Sequence, residues 1–300
     1  MVLRIVPTDF LMVQDAIDVS IPGDSIQILA GKFDGFRVDV ENLKIFGCGI
    51  GRTIIAGAPA QGTSDGVFVS AERTTLQGFT VQGFIGNGIF ISSSSSVLKE
   101  VEVKFNTLMG ILGVGNSNLI INCIASNNTS VNGSGIEIFA FTSSYVINCI
   151  STQNLGDGYF LRFGKLINSS ANENNNGISV DTRSTILANE TLKNNGSGIT
   201  IASDLNNIID NKVCNNEESG IELTVFSDEN AIDSNIARNN GTDITDAGIL
   251  VDPGSADNTI RFNKARNNVE FDIEAIPPAD TDNTFDGNKC ENSDPPGLCT

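Results

Sequence analysis

The 300-residue chain contains no histidine and no tryptophan, and only two tyrosines and eight prolines. Without histidine, and with no CxxC spacing among its six cysteines, it offers no pattern for a zinc site. No run of eighteen apolar residues occurs, so no segment is suited to crossing a membrane as a helix. Cations are scarce as well: 18 lysines and arginines face 36 acidic residues, for a net charge of −18. No basic stripe is visible along the chain, which argues against nucleic acid as a partner because phosphate binding depends on clustered cations. Met1 to Val6 carries one arginine and no long apolar segment, so these residues are expected not to be a signal peptide.

What the chain has is a repeat. A glycine followed by a hydrophobic residue heads a short alternating segment at Gly66, Gly88, Gly110, Gly135, Gly158, Gly177, Gly198, Gly220 and Gly248, at intervals of 22, 22, 25, 23, 19, 21, 22 and 28 residues. So short a period, with a few irregular insertions, is the signature of a solenoid built from single-coil units. Asparagine recurs in phase at Asn122, Asn148, Asn168, Asn189, Asn211, Asn235, Asn263 and Asn288, mostly with a second asparagine four to six residues later. Each coil therefore reads as three short strands separated by turns, with alternate side chains pointing inward. Asparagine tolerates the left-handed backbone of a sharp corner, and its amide can bond to an asparagine one coil away, so the rows read as structural. The serines at 92–96 fall where one strand turns into the next and read as a corner.

These two motifs, in phase from residue 66 to 290, resemble the right-handed parallel β-helix. The stretch Val13-Gln14-Asp15-Ala16-Ile17-Asp18, apolar at Val13, Ala16 and Ile17, is similar to the capping helix of the pectate-lyase-like superfamily, and the repeats resemble those of NosD-type β-helix proteins. An uncovered end would expose apolar core and unpaired backbone, which is why a cap is needed. The expected architecture is all-β: one right-handed parallel β-helix over residues 1–300, with a cap at 8–20, about eleven coils at 21–290 and a tail at 291–300.

Cys290 and Cys299 bracket a Pro-rich end that cannot continue the repeat, and a disulfide between them would pin the tail over the last coil. Cys123 and Cys149 occupy equivalent positions one coil apart, spaced for either a disulfide or two stacked thiols. Cys48 and Cys214 have no evident partner. A bridged C-terminal pair would point to an extracytoplasmic location, secreted or at the cell surface.

Alternation directs the second and fourth residues after each glycine outward. The second-position column reads Phe68, Phe90, Leu112, Glu137, Phe160, Ser179, Thr200, Glu222, Leu250, and the fourth reads Ser70, Ser92, Val114, Phe139, Arg162, Asp181, Ala202, Thr224, Asp252. In the pectate-lyase-like superfamily the sugar chain lies on an outward face of this kind. The resemblance therefore implies substrate contacts at Phe68, Phe90, Phe160, Arg183 and Glu222. It also permits a lyase site in which Arg162 is the base and Glu137 and Asp181 are part of a Ca²⁺ site neutralising a uronate carboxylate. Two plainer readings stand beside these. Ion pairing across the ladder would account for Glu137, Arg162 and Asp181 without chemistry. The Phe68, Phe90, Leu112 stripe suits a homo-oligomer contact or a covered surface as well as a sugar platform, which usually favours tryptophan and tyrosine. Polygalacturonase-like and alginate-epimerase chemistry uses histidine, which is missing here. The acidic residues crowding the C-terminal corners read as a solvated face. The sequence thus points first to an extracytoplasmic β-helix that binds polysaccharide or builds a surface assembly without catalysis or cofactor, and second to a Ca²⁺-assisted polysaccharide lyase acting on an acidic glycan.

Overall fold

The computed structural model describes residues 1–300, which form parallel strands with two short helices, Val13–Asp18 and Ala279–Asp282. Although the sequence carries no boundary signal, the chain divides into two compact units, Met1–Gly156 and Asp157–Thr300. Both are right-handed parallel β-solenoids with three strands per coil, and there are about 13 turns. The expected eleven covered residues 21–290 only, and rungs also form on either side of that range, at Leu3–Val6 and Ser293–Asp294. Leu3–Val6, ahead of the helix, is already paired in parallel with Ser25–Ile28.

Three ladders recur in each unit. The first holds the glycine-headed strands: Phe36–Val38, Val67–Val69, Ile89–Ile91, Ile111–Val114 and the start of Ser134–Ile147 in the first unit. In the second unit it runs from Asp157–Ile167 through Ile178–Val180, Ile199–Ile201, Ile221–Leu223, Ala247–Val251 and Phe271–Ala275. The register leaves the residue after each glycine fully buried. Ile178, Ile199, Ile221, Ile249 and Ile273 stack in one column, and Phe36, Val67, Ile89, Ile111 and Ile136 in its counterpart. Each such side chain contributes about 1.5–3 kcal/mol by leaving water. The heading glycines are required by close approach: a Cβ on Gly177 would lie 2.4 Å from the carbonyl oxygen of Gly198 and 2.9 Å from Nδ2 of Asn194.

The asparagine rows are hydrogen-bonded ladders. In the second unit, Asn189 donates its backbone N–H (2.9 Å) and its Nδ2 (3.1 Å) to Oδ1 of Asn211, which does the same toward Asn235. A second buried row runs Asn174, Asn194, Asn216, Asn240, and the first unit has its own in Asn106, Asn128 and Asn154. The phase at the first corner is corrected, however. Asn122, Asn148 and Asn168 are exposed residues with φ of 53°, 54° and 50°, and the ladder position is the residue after each: Cys123, Cys149 and Ser169. The equivalents of Asn122 further along are Ala188, Asp210 and Ser234, also left-handed. Asparagine suits both the left-handed corner and the buried ladder, so two positions one residue apart look alike in sequence.

Both chain termini are tied down. The helix Val13–Asp18 buries Val13, Ala16 and Ile17. The Gln14 amide receives the Arg37 backbone N–H at 2.8 Å and donates to the Arg37 carbonyl at 3.3 Å, doing for this edge strand what a neighbouring strand would. Asp24 accepts hydrogen bonds from the N–H groups of Val2 and Ile21 and from Arg4 at 2.6 Å, and these donors, Arg4 foremost, lower its carboxyl to about 2. At the other end Cys290 and Cys299 are bridged, with Cα atoms 5.7 Å apart. The tail nonetheless adds a short rung, Ser293–Asp294, beside Ile273 and Glu274. Cys123 and Cys149 are stacked buried thiols: burial, and then the hydrogen bond with Cys149, pushes Cys123 up.

Candidate functional site

The outward face of the first ladder differs between the units. In the first unit its second-position column reads Arg37, Phe68, Phe90, Leu112, Glu137. The Phe68 and Phe90 rings pack against each other with centroids 5.2 Å apart, and the Arg37 guanidinium lies 4.8 Å over Phe68, so the stripe is half-buried by its own members. Glu137 is the last residue of this column within the first unit and is only 7% exposed. It belongs to the first unit, whereas Arg162 and Asp181 belong to the second.

In the second unit the same column reads Phe160, Ser179, Thr200, Glu222, Leu250, Glu274, Asp294. Phe160 is half-buried at its start. Arg162 and Asp181 meet here as an ion pair with Nε 3.5 Å from Oδ2. Asp181 also accepts the Thr182 backbone N–H at 2.7 Å. Pairing of these two across the ladder, one of the plainer sequence readings, is thus present. Arg183 lies off the column, at a left-handed corner, with its guanidinium 5.8 Å from the Phe163 ring.

Four carboxyl groups on or beside this face are held above the ordinary carboxylate range, and burial is the leading cause for each. Glu222 is raised by burial, opposed by the Ser197 hydroxyl that donates to its Oε2 at 2.8 Å, and raised further by the negative charges of Asp252, Glu218 and Asp246. Burial alone raises Asp252. Glu274 and Glu218 are raised by burial and then by acidic neighbours, Asp294 first for Glu274 and Asp246 first for Glu218. Such a group carries a proton closer to neutrality than a solvated carboxylate, which is what proton transfer near neutral pH requires. Only Glu222 among them stood out in the sequence. Glu274 follows an irregular insertion that hides its coil, and desolvation has no motif.

No three carboxylate, cysteine or histidine side chains converge into an ion-sized cluster.

The sequence matches the family described as "Right handed beta helix region" over residues 65–204 and 162–299. The chain belongs to this family. No curated relative matches it. Among solved structures it is similar to the Azotobacter vinelandii mannuronan C-5 epimerase AlgE4 A-module, with a TM-score of 0.79 and 13% identity over 93% of this chain and 90% of that one. A mannuronic acid specific family 6 polysaccharide lyase from human gut microbiota aligns with a TM-score of 0.69 and 12% identity over 97% of this chain and 87% of that one. Pectate lyase Pel9A aligns with a TM-score of 0.51 and 16% identity over 85% and 73%. At these identities the likeness is one of fold.

Proposed function

We propose that this protein is an extracytoplasmic polysaccharide lyase, acting on the outward face of the first ladder within residues 157–300. The observation that carries the reading is Glu222, a half-buried carboxyl oriented by Ser197 and held above its ordinary range on the face where this fold presents its outward column. The lyases and epimerases of the same fold support catalysis over a purely structural role. The Cys290–Cys299 bridge supports an oxidising compartment.

In a β-elimination, a base takes the proton from the carbon next to the uronate carboxylate, the glycosidic C–O bond breaks, and the leaving oxygen gains a proton. A carboxyl group tuned by burial serves either transfer. Arg162 sits three coils from Glu222, about 14 Å along the stack, and its guanidinium is engaged by Asp181. It therefore acts as a positioning residue for a more distant substrate carboxylate rather than as the base.

Hydrolysis is the second reading. Glu222 and Glu274 lie two rungs apart in one column, about 10 Å between backbones, within reach of the carboxyl separation of inverting glycosidases. One assay separates the two. Polyuronates and neutral glucans are incubated with the protein, with Ca²⁺ or EDTA, while reducing ends and the absorbance of unsaturated products are followed together. Both signals rising on a polyuronate, unaffected by EDTA and reduced at least ~100-fold by Glu222→Gln, is the expected result. Reducing ends without absorbance would make it a hydrolase, and neither signal on any substrate would remove the catalytic reading.

A further inference from the structure

The structure gathers a basic stripe that the sequence conceals. On the outward side of the third ladder in the second unit, Lys212, Ile236, Lys264 and Lys289 form one column and Cys214, Arg238 and Arg266 the adjacent one. All five cations are exposed. Glu190 pairs with Lys212 at 2.5 Å, whereas Arg238, Lys264, Arg266 and Lys289 have no ion-pair partner. Arg238 stands directly opposite Arg266, and Lys264 opposite Lys289. Like charges facing each other on neighbouring rungs repel. In a chain with twice as many acidic as basic residues, four unneutralised cations on three successive coils are a concentration of positive charge that the packing does not require.

We infer that this stripe is a binding site for a carboxylated polysaccharide, separate from the face on which cleavage is proposed. The inference deepens that reading and rests on the chain handling glycans. A linear polyanion laid along the stack would meet one or two cations on each coil, over about 10–14 Å from Arg238 or Lys212 to Lys289. Arginine's planar fork suits bidentate contact with a carboxylate. Single-stranded nucleic acid is disfavoured because neither column holds an aromatic side chain for base stacking. A second copy of the chain would bring its own charge of −18 against this one.

The test measures labelled polygalacturonate binding to the Glu222→Gln chain, which holds the polymer uncleaved, with dextran as the neutral control. The Arg238→Ala/Arg266→Ala and Lys264→Ala/Lys289→Ala pairs are then introduced separately. Arg238, Lys264, Arg266 and Lys289 are all exposed, so these pairs keep the folded state. Binding of polygalacturonate but not dextran, weakened about tenfold or more by either pair and by raised salt, is expected. Equal binding with and without the cations, or equal binding of dextran, overturns the inference. Tighter binding of duplex DNA than of polygalacturonate, or a mass in sedimentation that halves in the variants, also overturns it, in favour of a phosphate polymer or a second copy. Failure of the cleavage proposal is read separately, from product formation by chains that keep Glu222. Stripe-dependent binding without cleavage would leave this inference standing alone.

Discussion

The two units have interiors of the same kind and exteriors of different kinds. Inward, the first ladder is a column of buried branched and aromatic residues in each unit. Outward, the first unit shows Arg37, Phe68, Phe90 and Leu112, whereas the second shows Ser179, Thr200, Glu222 and Glu274. A solenoid rung fixes only the inward half of each strand. The outward half is free to vary coil by coil without disturbing the stack, and that freedom is where function is written.

The largest effect should come from breaking what the units share. Ile89→Asp and Ile178→Asp both bury an unpaired carboxylate at positions with 0% exposure, and each should lower stability by several kcal/mol or abolish soluble expression. Thermal melts that leave either variant unshifted would mean that the inward register is wrong in that unit.

The asparagine rows are the next test. Asn211→Ala removes the acceptor for two Asn189 donors and the donor to the Ile186 carbonyl, all buried, and should cost about 2–4 kcal/mol. Asn122→Ala, at an exposed left-handed corner of the first unit, should cost only about 1 kcal/mol. Equal losses would erase the distinction between corner and ladder. That distinction marks how far the sequence could be read. The period, the three strands per coil, the buried residue after each glycine and the Cys290–Cys299 bridge all follow from local chemistry. Which of two adjacent asparagines points inward does not, because one side chain satisfies both environments. The stripe of Arg238, Lys264, Arg266 and Lys289 was equally hidden, since its members lie one or two to a coil and only the stacking brings them together. The raised carboxyl of Glu274 depends on burial by neighbours remote in sequence.

The units should also answer differently to pH. Asp24, in the first unit, has its folded value lowered to about 2, so the stability it contributes is present above the ordinary carboxylate value and lost as pH falls toward 2. Glu222, Asp252 and Glu274, in the second unit, have raised folded values. The folded state there binds more protons than the unfolded one, so stability falls as pH rises through those values and is greater in mild acid. Hydrogen exchange should find backbone amides of residues 157–300 better protected in mild acid than at neutrality, while those of the Leu3–Val6 strand lose protection only as pH falls below 4. Parallel changes in both would contradict the separate electrostatics of the units.

The smallest stability effect is expected at Phe90. It is half-buried against Phe68, and Phe90→Glu removes an aromatic pair worth about 1 kcal/mol while placing a carboxylate on the rung between Phe68 and Leu112. If this apolar face is a contact between copies of the chain, the variant should sediment at lower mass than the parent and keep polysaccharide cleavage, since Glu222 and the face around it belong to the other unit. Loss of cleavage in a folded Phe90→Glu chain of unchanged mass would instead make the aromatic column a sugar platform. The contrast between the units would then lie in how each face meets a glycan rather than in whether it does.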